Sequence, residues 1–372
     1  MGDRMKDERE HLQLFDLIAR EWPVPSVVNQ ITFNANSTAV AFACADGAVH
    51  LAATADKFSP DKRIRRAVDT GRLTIAPRDK PHAALKVADF TDGRSTSVVP
   101  LGAASFAFAK DTGRVNSLSP GGIAVHLPAK APAPISAVAA SPDGETLAYA
   151  CGNHVFVTPA KGDSPQRLDA PDAVTALAFA PDGRTLAAAH GAGLSRWTLG
   201  ALDKGALHTP IAGRPMDVAW RSDGAWLVTC LAGDGLCVVD AATNAAHLHG
   251  NFPAPVLHAG FGQSTGTVVA AGAFRVAAWA LDGQTDVKTG KAGLVLIDAV
   301  ATCPTRNLVA VGYANGLLSL AEVGKPSEIL LREDTGAGIT AMAWSGNGAY
   351  LALAGTDGSA ALVEFPDAMF KS

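Results

Sequence analysis

Short apolar strands alternate with turns rich in Asp, Gly, Asn and Ser along almost the whole chain. Each copy of the pattern has an apolar strand, a polar turn, a second apolar strand and a second polar turn. The clearest copies are SPDGETLAYACGNHVFV, APDGRTLAAAHGAGLSRW, RSDGAWLVTCLAGDGLCVV and SGNGAYLALAGTDGSAALV. This pattern predicts repeated hairpins of buried β-strands.

The first turn of each copy marks a repeat of about 41 residues. The eight first turns begin at Asn34, Thr91, Ser141, Ala180, Arg221, Gly262, Cys303 and Ser345. This period is typical of four-stranded propeller blades. We therefore predict an all-β fold over residues 12–365, a single eight-bladed β-propeller of four-stranded antiparallel blades. A seven-bladed ring, with one copy belonging to an insertion, is the alternative.

The position just before the first turn supports the alignment, because it is aromatic in six of eight copies. Its residues are Phe33, Phe90, Ala140, Phe179, Trp220, Phe261, Thr302 and Trp344. Bulky and small side chains alternate before it, as in Leu177 and Ala178. A strand packed between two neighbouring blades requires such a period of two with both faces buried.

The repeat resembles that of the WD40 family from about residue 27 to residue 365. The likeness rests on the strand, the Asp-Gly turn and the next strand, as at Asp143-Gly144, Asp182-Gly183 and Asp223-Gly224. The family's Trp-Asp ending is degraded, since Trp197 precedes Thr198 and Trp279 precedes Ala280. The resemblance implies a propeller that binds other proteins as a scaffold, and it carries over no functional residue.

The two ends of the chain lie outside the repeats. Residues 1–11 and 366–372 are predicted tails. The last copy has no room for a fourth strand, so we expect residues 12–20 to close the ring as the outer strand of the blade that contains Ser345 and Phe365. An amphipathic helix is the alternative for this segment, because DEREHLQLFDLIARE is rich in helix formers.

A basic insertion over residues 55–82 separates the first two blades. Its eight basic residues, between Lys57 and Lys80, outnumber three aspartates. We predict docking of an acidic protein surface or a phosphate-bearing ligand, with a solvated loop as the alternative. Nucleic acid is disfavoured because Phe58 is the one aromatic side chain there. The candidate binding residues are Lys62, Arg63, Arg65 and Arg66.

Cys44, Cys151 and His190 share one position of the repeat, which suggests a metal site at first sight. Equivalent residues of neighbouring blades are on the order of 10 Å apart, however, whereas zinc ligands lie about 2.0 to 2.3 Å from a shared ion. We therefore expect packed side chains, no metal and no cofactor. The five cysteines are scattered without a CxxC pair, so we expect reduced thiols.

Five polar residues are expected at the mouth of the central channel: Asn29, Lys86, Asp217, His258 and Asp298. Asp217 and His258 occupy equivalent positions on adjacent blades, which suggests an acid/base pair. These residues favour the competing function, a propeller enzyme or small-ligand sensor. No recognisable nucleophile or phosphate-loop motif accompanies them.

Composition and charge restrict the classes of partner that we expect, rather than the fold. The net charge of -4 gives no general attraction to nucleic acid or anionic membranes. The charged start lacks the apolar core of a signal peptide, so we expect a cytoplasmic protein. We predict a non-catalytic scaffold for one or more proteins, monomeric unless it is in a complex.

Overall fold

The computed structural model describes residues 12–370 except 89–92, 163, 234, 263–265 and 282–284. Within these residues the strands form eight sheets, which are the blades of a ring, and one separate hairpin. The innermost strands of successive blades mostly contact one another around the central channel. The predicted all-β, eight-bladed propeller is therefore confirmed, and the seven-bladed alternative is wrong.

The strands of the first four blades are given from innermost to outermost, with labels in chain order. Blade one has β2 (Val28–Phe33), β3 (Ala39–Cys44), β4 (Val49–Ala53) and β7 (Lys86–Val87). Blade two has β8 (Ser95–Leu101), β9 (Ser105–Lys110), β10 (Arg114–Leu118) and β11 (Ala124–Lys130). Blade three has β12 (Ala137–Ala140), β13 (Thr146–Cys151), β14 (His154–Pro159) and β15 (Gln166–Asp169). Blade four has β16 (Val174–Phe179), β17 (Thr185–His190), β18 (Gly193–Thr198) and β19 (Leu207–Pro210).

The other four blades follow the same order. Blade five has β20 (Ala219–Trp220), β21 (Trp226–Cys230), β22 (Leu236–Asp240) and β23 (Ala246–His249). Blade six has β24 (Ala259–Gly262), β25 (Thr267–Ala270) and β26 (Ala277–Ala280). Blade seven has β27 (Ile297–Thr302), β28 (Leu308–Tyr313), β29 (Leu318–Glu322) and β30 (Glu328–Arg332). Blade eight has β31 (Ile339–Trp344), β32 (Tyr350–Gly355), β33 (Ser359–Glu364) and β1 (Ala19–Pro23).

Blade six departs from the four-stranded pattern within the described residues. Its outer position is taken by a segment that forms isolated bridges, from Asp286 to Trp279 of β26 and from Thr289 to Val276, just before β26. Short 3-10 helices follow β18 at Leu199–Lys204 and β33 at Asp367–Phe370. The four-stranded prediction therefore holds for seven of the blades.

The hydrophobic core lies between blades rather than inside a single layer. All six residues of β3 are buried, because both faces of this strand pack against other strands. One cluster joins Ala187 and Leu194 of blade four to Leu227 and Val239 of blade five. Apolar packing between neighbours therefore fixes the ring.

The N-terminal strand closes the ring, but it is not the segment that we predicted. Ala19–Pro23 pairs antiparallel with β33, whereas most of the predicted segment 12–20 is a short helix, α1 (Leu14–Ile18). The Gln13 amide donates to Asp16 Oδ2 at 2.9 Å, which caps this helix. Strand β1 alternates buried Arg20 and Trp22 with exposed Glu21, as an outer strand should.

The predicted first turn of blade two is also wrong. Strands β8 and β9 place this turn between Leu101 and Ser105, about ten residues after Thr91. Thr91 and the aromatic candidate Phe90 lie outside the described residues. The extra length of the chain therefore belongs to blade one alone.

The antiparallel strands place the loops alternately on two faces of the ring. We call the face with the loops between first and second strands, and between third and fourth strands, the lower face. The upper face carries the loops between second and third strands and the connections from blade to blade. The basic insertion follows the third strand of blade one, so it starts on the lower face.

Candidate functional site

The basic insertion is an ordered arm. It contains a short helix, α2 (Pro60–Arg63), and a hairpin of β5 (Ile64–Arg66) and β6 (Leu73–Ile75). Within the hairpin, Arg65 pairs with Thr74 and Arg66 pairs with Leu73. We call residues 60–76 the basic arm.

Arg63 holds the base of the basic arm and does not face solvent. Its Nε donates to the Phe58 carbonyl at 3.0 Å and its Nη1 to the Ala76 carbonyl at 2.6 Å. Its Nη2 donates to the carbonyl of Leu17, in α1, at 2.5 Å. Burial lowers the pKa of this guanidinium. The prediction that Arg63 meets a partner is therefore wrong, because all three donor groups serve the fold.

Further charges fasten the insertion to the closing blade. Arg78 forms an ion pair with Asp56, and Arg20 of β1 lies 4.0 Å from the same carboxylate. Arg20 also donates to the carbonyls of Ala53 and Thr54, at 3.0 and 2.7 Å. Burial raises the pKa of the Glu364 carboxyl, and the positive charges of Arg20 and Arg78 counteract this rise. The contacts at the base of the basic arm therefore also hold the closing strand β1 against blade one.

The exposed part of the basic arm keeps a strong positive charge. Lys62, Arg65 and Arg66 are exposed, as is Arg72 just before β6. Val68 is fully exposed in the turn of the hairpin. Phe58 is covered by the cations of Arg78 and Lys80, at 6.0 and 5.2 Å from its ring centre. The arm therefore offers arginines and one apolar tip, without a free aromatic face.

Two of the channel candidates line a cavity at the upper mouth. Asn29 and Asp217 belong to its wall, together with Thr96, Ser136 and Thr175, and its volume is about 430 Å³. Asp217 Oδ1 accepts a hydrogen bond from the Cys230 amide at 2.5 Å. Burial raises the pKa of the Asp217 carboxyl. Its hydrogen bond to the Cys230 amide gives this group a structural role.

The structure does not make Asp217 and His258 an acid/base pair. The His258 Nε2 lies 3.2 Å from the Thr340 carbonyl, so each side chain has a main-chain partner elsewhere. Burial lowers the pKa of His258 and favours its neutral form. Asp298 lies on β27 and is half-buried, and burial raises its pKa. The predicted convergence of these groups is therefore only partial.

Lys86 is wrongly predicted at the channel. It lies on β7, the outermost strand of blade one, and it is exposed. Lys86 stands five residues before the misplaced turn at Thr91, whereas the innermost strand of blade two is β8, which begins at Ser95. Thr96 lies on the innermost strand of blade two instead, and it lines the channel cavity.

Threonines near the channel mouth link successive blades, and the sequence reasoning missed them. Thr175 Oγ1 donates to the Pro215 carbonyl at 2.9 Å, from blade four to the connection into blade five. Thr340 Oγ1 donates to the Val28 carbonyl at 2.8 Å, from blade eight to blade one. Thr96 Oγ1 reaches the Ile135 carbonyl at 3.0 Å. Thr175 and Thr340 both stand five residues before their first turns, which was a usable signal.

The aligned Cys and His positions are packed strand ends. Burial raises the pKa of Cys44 to about 11, and Cys151 is buried. His190 is fully buried and its Nε2 lies 2.9 Å from Ser195 Oγ. Among the described residues, no three His, Cys, Asp or Glu side chains are placed to hold one ion.

In the part of the chain that the structure describes, no helix is long and apolar enough to cross a bilayer.

Comparison with known proteins agrees with the blade geometry. The family described as WD domain, G-beta repeat matches residues 327–362. This match begins at the outermost strand of blade seven and continues through the inner strands of blade eight, so the sequence repeat is offset from the structural blade. No curated protein matches the sequence.

A solved structure extends the likeness to nearly the whole ring. The chain is similar to the C-terminal WD40 domain of Sif2, with a TM-score of 0.61 and 13% identity, over 94% of this chain and 99% of that one. At this identity the likeness concerns the fold. The chain is therefore an eight-bladed β-propeller whose fold is similar to that of this WD40 domain.

Proposed function

We propose that this propeller is a non-catalytic scaffold that binds another protein through the basic arm. The observation that carries the proposal is the exposed set of Lys62, Arg65, Arg66 and Arg72 on the basic arm, whose base is held by Arg63. Because the base of the arm is already ordered, the arm loses less conformational entropy when it binds a partner. Under this proposal the chain is a cytoplasmic protein, and it is monomeric outside its complexes.

The composition of the basic arm favours a protein with an acidic surface. An arginine fork can hold a carboxylate through two hydrogen bonds. Val68 at the tip adds an exposed apolar contact that suits a protein surface. Single-stranded nucleic acid binds aromatic stacking platforms, and Phe58 is already covered by two cations. These features support a protein partner over nucleic acid.

The channel mouth gives weaker support to the competing function. Its cavity of about 430 Å³ has room for a small ligand. Asp217 and His258, however, are engaged with main-chain groups, and an enzyme needs titratable groups that meet each other and a substrate. The scaffold is therefore the function that the geometry supports better.

The test is capture of partners by the tagged chain in its own cells, with Arg65→Ser/Arg66→Ser as the variant. We expect capture of the main partner to fall about three- to tenfold, and to become less dependent on salt. Lys161→Ser/Lys204→Ser is the matched control, because it removes the same charge from exposed lower-face loops. Equal loss in both variants, or release of the partner by nuclease, would contradict the proposal.

A further inference from the structure

Three exposed apolar side chains lie on neighbouring upper-face loops around blade six. Leu257 precedes β24, Phe274 lies between β25 and β26, and Leu294 precedes β27. They are 68%, 45% and 96% exposed. We call these residues the blade-six patch.

Main-chain hydrogen bonds hold the three loops together. The Gly293 amide donates to the Phe274 carbonyl at 3.0 Å, which places Leu294 beside the turn of Phe274. On the other side, the Ala271 amide donates to the His258 carbonyl at 3.0 Å, next to Leu257. These bonds fix the three loops, and with them the three apolar side chains, in one region of the upper face. Contiguous exposed apolar surface commonly marks a binding site.

A groove of about 370 Å³ continues the blade-six patch towards blade seven. Its walls include Leu294, Val295, Leu317 and Leu330. Glu328 lies in the groove, but its carboxylate accepts hydrogen bonds from the Ser319 hydroxyl at 2.7 Å and the Lys291 amide at 2.8 Å. The Tyr313 hydroxyl contacts both of its oxygens as well. The groove thus offers an apolar wall and a carboxylate that is already satisfied.

The charges near the blade-six patch are mainly positive. Lys288 and Lys291 are exposed, and the half-buried Arg275 donates from Nε to the Gly290 carbonyl at 3.0 Å. Among the described residues between Phe274 and Leu294, Asp286 is the one carboxylate against these three cations. Local positive charge on a chain of net charge -4 favours an acidic ligand.

We propose that the blade-six patch binds a short acidic segment of a partner protein that carries aliphatic or aromatic side chains. Leu257, Phe274 and Leu294 contact its apolar residues, and Lys288 and Lys291 contact its carboxylates. The patch lies on the upper face, away from the loops where the basic arm starts. This proposal therefore stands whether or not the basic arm binds a partner.

The experiment selects displayed random short peptides on the full chain, then measures the dissociation constants of the enriched peptides. We expect sequences in which Asp or Glu flank Leu, Ile or Phe. Phe274→Ser/Leu294→Ser should weaken their binding by at least about tenfold, because central apolar contacts dominate affinity. Lys288→Glu/Lys291→Glu should also weaken binding and reduce its salt dependence, while leaving the apolar surface intact.

Leu207→Ser/Leu248→Ser is the matched control, because these leucines are 51% and 52% exposed on the outermost strands of blades four and five. The control should bind the selected peptides as the unchanged chain does. Peptides that bind Phe274→Ser/Leu294→Ser equally well, that are basic or uncharged, or that fail to enrich at all would overturn the proposal. Binding to vesicles of anionic lipid in place of peptides would overturn it too.

Discussion

Buried polar side chains hold the first turns of the repeat. Ser141 Oγ accepts a hydrogen bond from the Thr146 amide at 2.9 Å, and Ser345 Oγ accepts from the Tyr350 amide at 2.9 Å. Asn34 Oδ1 does the same for the Ala39 amide at 3.0 Å. The Asp, Asn and Ser residues that mark the repeat are therefore structural, because they satisfy main-chain donors of tight turns.

His190 is a different kind of buried polar residue, because it can gain charge. Its Nδ1 accepts from the Ala192 amide at 3.3 Å, which leaves the proton on Nε2 for Ser195 Oγ. The ring of His208 stacks on it at 5.4 Å. Burial lowers the pKa of His190 to about 4, from an ordinary value of 6.5. The folded chain therefore holds His190 neutral, while the unfolded chain binds a proton below pH 6.5.

We predict that His190 makes the fold less stable in mild acid. Its contribution is fully present above pH 6.5 and is lost as the pH falls from 6.5 towards 4, because only the unfolded state binds the proton there. The loss should be on the order of 3 kcal/mol. Urea unfolding between pH 7 and pH 4.5 should show a smaller pH dependence for His190→Gln. Equal slopes for both chains would contradict the prediction.

At the scale of elements, the hairpin of the basic arm depends on Arg63. Arg63→Ala removes three hydrogen bonds to main-chain carbonyls and should cost about 2 to 3 kcal/mol of unfolding free energy. Arg65→Ala is the control, since this neighbour is exposed and should change stability by no more than about 0.5 kcal/mol. Chemical denaturation of both variants tests this. Similar midpoints would mean that Arg63 does not hold the arm.

The same arm shows where sequence reasoning succeeds and where it stops. The repeat predicted eight blades, because buried strands and Asp-Gly turns recur with one period. It misplaced the turn of blade two, since a Thr-Asp-Gly run at Thr91 imitates the true turn between Leu101 and Ser105. Composition found the cluster of Lys62, Arg63, Arg65 and Arg66, but charge alone cannot separate exposed Arg65 from buried Arg63. That difference depends on the carbonyl of Leu17, which is distant in the chain.

At the scale of the whole molecule, the ring closes where strand β1 pairs with β33 of blade eight. Trp22 of β1 is 5% exposed, and its Nε1 donates to the Ala83 carbonyl at 2.7 Å. Arg20 on the same strand reaches Ala53 and Thr54 of blade one. On the other side, Arg332 of blade seven lies 3.6 Å from Glu21. One short strand therefore joins three blades.

We predict that Trp22→Ala destabilises the entire ring. Loss of this packed side chain should cost about 3 to 5 kcal/mol. Glu21→Ala is the control on the same strand, because a half-exposed ion pair contributes at most about 1 kcal/mol. Thermal unfolding followed by circular dichroism should separate the two variants. If they melt together, the closing strand is not what limits the stability of the propeller.

The pairing of β1 with β33 also sets the order of events during synthesis. Ala19 is added to the growing chain long before its partner Val363. At about 5 to 20 residues per second, the first strand waits roughly 17 to 70 s for its neighbour. Throughout that time β1 lacks its partner strand, so its main-chain groups and the Trp22 side chain lack their final contacts. A chain that is truncated before β33 lacks the partner strand of β1, so its ring cannot close.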